Sequence, residues 1–90
     1  MLVLPAELTH AQATASLRML VQGLRSQPAA PVVLDATALS RFDSSALAVM
    51  LECRRESMAM GRAFAVRGLP ARLAALAGLY GVAELLPAAV

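Results

Sequence analysis

Asp43-Ser44-Ser45 places a carboxylate directly ahead of two hydroxyls, at the point where a helical pattern begins. An Asp or Ser in that position suits an N-cap, its side-chain oxygen accepting a hydrogen bond from an amide two or three residues on. A seryl oxygen at a helix start also sits where free amides and the macrodipole favour negative charge, so a phosphate there would be tolerated locally. Such a phosphate would repel an acidic partner surface. The stretch therefore suits a docking contact or a switch.

The other candidates for chemistry are fewer. Asp35 and Asp43 could meet at a sheet edge as a carboxylate pair for acid/base or metal work, but loop aspartates usually cap helices and form turns. His10 falls in the first turn of a predicted helix and reads as exposed and structurally neutral. Cys53, the one cysteine, can form neither an internal disulfide nor a metal cluster and reads as a packing residue. The chain has no lysine, no P-loop and no GxSxG elbow, and no nucleophile-base pair is evident, so catalysis, a cofactor and a metal are not expected.

The elements that must position these residues follow from hydrophobic spacing. Leu2-Val3-Leu4 predicts a short strand ended by Pro5. Thr9 and Gln12 have capping-box spacing, which starts a first helix whose stripe is Ala13, Leu17, Leu20, Val21 and Leu24. That helix runs out in Ser26-Gln27-Pro28-Ala29-Ala30-Pro31. Val32-Val33-Leu34 reads as a strand covered on both faces, ended by Asp35 at the carboxyl edge of the sheet. After a polar loop, residues 46–60 predict a second helix with Leu47, Met50, Leu51 and Met58 inward, a Glu52–Arg55 surface pair, and Gly61 as the left-handed residue that ends it. Ala63-Phe64-Ala65-Val66 makes a third strand. Pro70 then suits the first turn of a third helix, striped by Leu69, Leu73, Leu76, Ala77 and Tyr80, with Gly81 as its stop and a last helical turn over 82–86. Strands alternating with helices predict an α/β fold, with helices around a small, mainly parallel sheet.

Composition sets the limits. Ninety residues fit one domain spanning 1–90. The chain is 59% hydrophobic, but Arg or Glu breaks every long run, and no tract approaches the ~20 residues needed to span a bilayer. No signal peptide is read at the start, so the expected compartment is the cytoplasm, without direct membrane insertion. All eight basic residues are arginines, dispersed, with three aromatics to stack on bases, so no nucleic-acid partner is expected. Arg54, Arg55, Arg62 and Arg67 could form a local patch.

Leu34-Asp35-Ala36-Thr37-Ala38-Leu39-Ser40-Arg41-Phe42-Asp43-Ser44-Ser45-Ala46-Leu47 resembles the strand-Asp-loop-Asp-Ser-Ser-Gly-Leu signature of STAS domains. Gly68-Leu69-Pro70, the third helix and Tyr80-Gly81-Val82 resemble the later part of that family, so the likeness covers nearly the whole chain. It implies a fold of alternating strands and helices like that of anti-sigma factor antagonists, and two competing functions. In the antagonists, the serine matching Ser44 is phosphorylated by a kinase that is also the anti-sigma factor, and the phosphate releases the complex. In the MlaB type, a free-standing STAS protein is the cytoplasmic subunit of a phospholipid ABC transporter at the inner membrane and binds its ATPase subunit through the matching hydroxyl. The start at Leu2-Val3-Leu4, without the antagonists' extra first strand, and the Leu85-Leu86-Pro87 ending look more like the MlaB type. The expected contact residues are then Ser40, Arg41, Asp43, Ser44 and Ser45 in the loop, with Arg54 and Arg55 on the second helix. Ala46 stands where the family has Gly, which puts a geometry needing Gly in question. The sheet edge at Leu2 to Leu4 is left open, and a partner chain or a homodimer could cover it.

Overall fold

The computed structural model describes residues 2–26 and 31–89. Its elements are β1 (Leu2–Val3), β2 (Glu7–Leu8), α1 (His10–Ser26), β3 (Val32–Asp35), β4 (Arg41–Phe42), α2 (Ser44–Ala59), β5 (Phe64–Arg67) and α3 (Ala71–Leu79), then a 3₁₀ turn at Ala83–Leu85. β1, β3 and β5 form a parallel sheet in the order β1-β3-β5. The α/β expectation therefore holds. The linker after α1, including Pro28, lies largely outside the described residues.

Register decides which face is core. Leu2, Leu34 and Val66 are partners across the sheet, so their side chains share one face, and all three are buried. Val3, Asp35 and Arg67 share the opposite face, where Val3 is 61% exposed while Val33 and Ala65 are half-buried. The reading of Val32-Val33-Leu34 as covered on both faces is thus corrected. An uninterrupted apolar run looks the same whether one face or two are buried. Past β5 the chain returns, with Val66 N–H donating to Pro87 O at 2.8 Å and Ala89 N–H to Val66 O at 2.8 Å, so the tail protects the β5 edge.

The α1 stripe emerges as expected, with Leu20 and Leu24 buried and Ala13 and Leu17 packed partly against the core. Each fully buried leucine contributes about 2 kcal/mol of apolar transfer. In α2 the core face is Ala46, Leu47, Val49, Met50, Cys53 and Ser57. Met58, expected inward, is 55% exposed, because the helical phase puts Ser57 in that place. Ser57 is accommodated by donating its hydroxyl to Cys53 O at 2.8 Å. α2 ends in a Schellman motif: Gly61 has φ 68°, its N–H donates to Met58 O at 2.9 Å, and Arg62 N–H donates to Ser57 O at 2.9 Å. α3 ends the same way around Gly81. That reversal leaves Tyr80 58% exposed rather than on the inward stripe.

Candidate functional site

A second, two-stranded parallel sheet, which hydrophobic spacing did not announce, builds the site. β2 and β4 pair with Glu7 opposite Arg41 and Leu8 opposite Phe42. Leu8 is fully buried and Phe42 partly so, which turns Glu7 and Arg41 outward. The amides of Ser40 and Arg41 both donate to Ala6 O, at 2.9 and 3.0 Å, and close the pairing at its start. The register then carries Asp43, just after β4, to the residues just after β2.

Asp43 consequently caps two helices. It is the extended N-cap of α2, and its Oδ1 accepts from Ser45 N–H at 2.8 Å. Its Oδ2 accepts from His10 N–H, the first amide of α1, at 3.0 Å. One arm of the capping box forms as well: Gln12 Oε1 accepts from Thr9 N–H at 2.9 Å and from the Thr9 hydroxyl at 2.6 Å. The expectation that the Thr9 hydroxyl would satisfy a free amide at the start of α1 is corrected, since that hydroxyl donates to Gln12 and the His10 amide is served from 33 residues away. These amides hold the Asp43 carboxyl below its ordinary value, His10 N–H most strongly and Ser45 N–H next. Asp35 accepts from Thr37 N–H at 3.0 Å, an Asx turn, and its carboxyl is lowered first by the Thr37 side chain and then by that amide. Both aspartates thus act as backbone acceptors. Among the described residues no group of three or more His, Cys, Asp or Glu could hold a metal ion.

The remaining expected residues divide into two places. Ser44 is the first residue of α2, exposed, and its hydroxyl makes no hydrogen bond among the described residues. Ser40 is exposed, with its hydroxyl 3.3 Å from Ala6 O, and Arg41 is exposed on β4. These gather around Asp43. Arg54 and Arg55 do not join them, because ten residues of helix separate them from Ser44 by about 15 Å. Arg55 instead holds Glu52, at 2.6 Å, as its spacing suggested. Arg62 is withdrawn from the expected arginine patch, being buried and donating to Leu24 O at 2.7 Å.

Two features escaped sequence reasoning. The Arg72 guanidinium at the start of α3 lies 5.4 Å from the centroid of the Phe42 ring, a cation–π contact that ties a third helix start to β4. A groove of about 410 Å³ opens between α1 and α2, lined among others by His10, Ala13 and Leu17 on one side and Ser45, Ala48 and Glu52 on the other. The small residues facing each other across these helices were the available signal. Gly68, at φ 67°, lies so close to Thr37 that a Cβ would collide with it, which explains the glycine in the turn before α3. Ala46 has no positive φ and is buried, so α2 needs no glycine there for its backbone.

Cys53 is buried, and burial, followed by the charges of Glu52 and Glu56, pushes its thiol up to about 12, so at neutral pH it is protonated and unreactive. The arrangement offers exposed surface and hydrogen-bonding groups around Asp43. No helix among the described residues is long and apolar enough to cross a membrane.

Among curated proteins, none matches the chain. A family model described as "Mlab, STAS domain" matches residues 1–87, which takes in both sheets, all three helices and the Asp43–Ser44 site. The chain belongs to the STAS domain family, in its MlaB-type branch.

Proposed function

We propose that this chain is a non-catalytic adaptor of a phospholipid ABC transport system that maintains outer-membrane lipid asymmetry. It binds the cytoplasmic ATPase subunit, and through it the permease, and supports the assembly or activity of that subunit. The observation that carries this reading is Ser44: an exposed hydroxyl, without a hydrogen bond among the described residues, on the first turn of a helix whose start is fixed by Asp43. Family membership supports the same role.

Co-purification tests it. Tagged protein expressed in its source cells is expected to recover an ATPase and a permease, and Ser44→Ala is expected to reduce that recovery while the melting temperature stays put. Absence of both subunits from the wild-type eluate would sink the proposal.

The unused Ser44 hydroxyl also favours a second reading, an anti-sigma factor antagonist phosphorylated there by its cognate kinase. Intact mass after incubation with that kinase and ATP separates the two: a phosphate gained by wild type and not by Ser44→Ala favours the antagonist.

A further inference from the structure

We infer that the groove between α1 and α2 is the seat of a partner segment that carries an apolar side chain next to an arginine or lysine. This rests on the adaptor reading and names the chemistry of the ATPase segment it requires. The groove exists because Ala13 and Thr14 on α1 face Ser45 and Ala48 on α2, leaving open a space that larger side chains would fill in a close-packed interface. Further along the same two helices Leu20, Leu24, Met50 and Cys53 are buried, and Arg25 on α1 reaches Glu56 on α2 at 3.5 Å. The pair is therefore closed in its carboxyl half and open in the half that adjoins Ser44. Its volume, about 410 Å³, falls within the ~300–1,000 Å³ in which proteins hold ligands.

Charge selects the occupant. Glu52 lines the groove, and both hydrogen bonds it receives from Arg55 go to the same oxygen, Oε1, at 2.9 and 2.6 Å. Oε2 accepts no hydrogen bond among the described residues. A partner cation can therefore bind Glu52 without displacing Arg55, while its apolar neighbour covers Leu17 and Val49 on the floor. An open trough walled by two helix faces fits a helical or extended segment of a protein, as in helix-in-groove recognition.

The test uses the full chain and the purified ATPase subunit of its own transporter. Ala48 is exposed and mid-helix, so Ala48→Leu fills the groove with a good helix former, and the melting temperature is expected not to fall. Its affinity for the ATPase is expected to drop by at least about tenfold, and that of Glu52→Gln by roughly threefold to tenfold with a shallower salt dependence. Ala48→Cys supplies the one accessible thiol, Cys53 being buried, for a benzophenone maleimide. Its photoadduct is expected on an ATPase peptide with an apolar residue beside Arg or Lys. Wild-type affinity in both Ala48→Leu and Glu52→Gln, or an adduct confined to a second copy of this chain or to a small molecule, overturns the groove assignment and leaves the adaptor standing. If the wild-type chain binds no ATPase at all, the adaptor reading fails and the groove assignment fails with it.

Discussion

α1 is held at each end by a side chain from far along the sequence, and the two ends differ in burial. At its amino end Asp43 accepts from His10 N–H across the exposed rim. At its carboxyl end Arg62 donates to Leu24 O from a buried position, 38 residues away. Both obey the helix dipole, with an acid at the positive end and a base at the negative end. The acid, however, sits among exposed polar groups beside a groove, whereas the base sits where the α2 Schellman turn folds back against the core. One end is built to be reached and the other to be closed. The comparison teaches that equivalent caps need not have equivalent roles: burial sets what each contributes to stability, and exposure sets what a partner can use.

The largest effect is expected at the buried end. Arg62→Ala removes a donor from the Leu24 carbonyl and leaves space where the aliphatic stem was packed, a combined loss of about 2–4 kcal/mol read from urea unfolding. Arg62→Met, which restores volume without the donor, is expected to recover part of it. If Arg62→Ala unfolds at the wild-type midpoint, the carboxyl-end cap is dispensable and the contrast collapses.

Asp43→Ala comes next. It unties two helix starts at once and is expected to lower the melting temperature by roughly 5–10 °C. It is also expected to weaken partner binding more than Arg62→Met does at equal folded fraction, because only Asp43 orients the exposed rim. Equal binding losses in the two variants would show that the ends are not functionally distinct.

Much of the scaffold behind this contrast was legible because it is local. The α1 stripe, Gly61 and Gly81 each express a rule acting within a turn or two of chain. Asp43-Ser44-Ser45 was legible as a helix start for the same reason. The link from Asp43 to His10 was not, since it depends on how β2 registers against β4, and two-residue strands carry no periodicity to read. Met58 was misplaced because its hydrophobicity outweighed the helical phase that buries Ser57. Val33 was misassigned because β-branched runs do not say how many faces are covered.

Acid should reveal the exposed cap more gently. The Asp43 carboxyl is lowered in the folded chain from its ordinary value near 3.8, so the stability it contributes is present above that value and is lost as the pH falls through the depressed one. Asp35 acts in the same direction. The stability difference between wild type and Asp43→Asn is therefore expected to be full near about pH 6 and to shrink below about pH 4, followed by urea midpoints across that range. A gap that stays constant down to about pH 2 would mean the carboxylate charge is not what holds the two amides.

The smallest stability change is expected at the residue of greatest functional interest. Ser44 occupies the first helical position of α2, after the cap, and its hydroxyl bonds to nothing in the described structure. Alanine is the better helix former there, so Ser44→Ala should leave stability within about 0.5 kcal/mol of wild type, with any change slightly favourable. A destabilisation near 1 kcal/mol would mark Ser44 as a capping residue in its own right, because that is what a lost cap costs. A neutral Ser44→Ala that nevertheless loses partner recovery would place function on a hydroxyl that folding does not use, at the end of α1 and α2 that the fold leaves open.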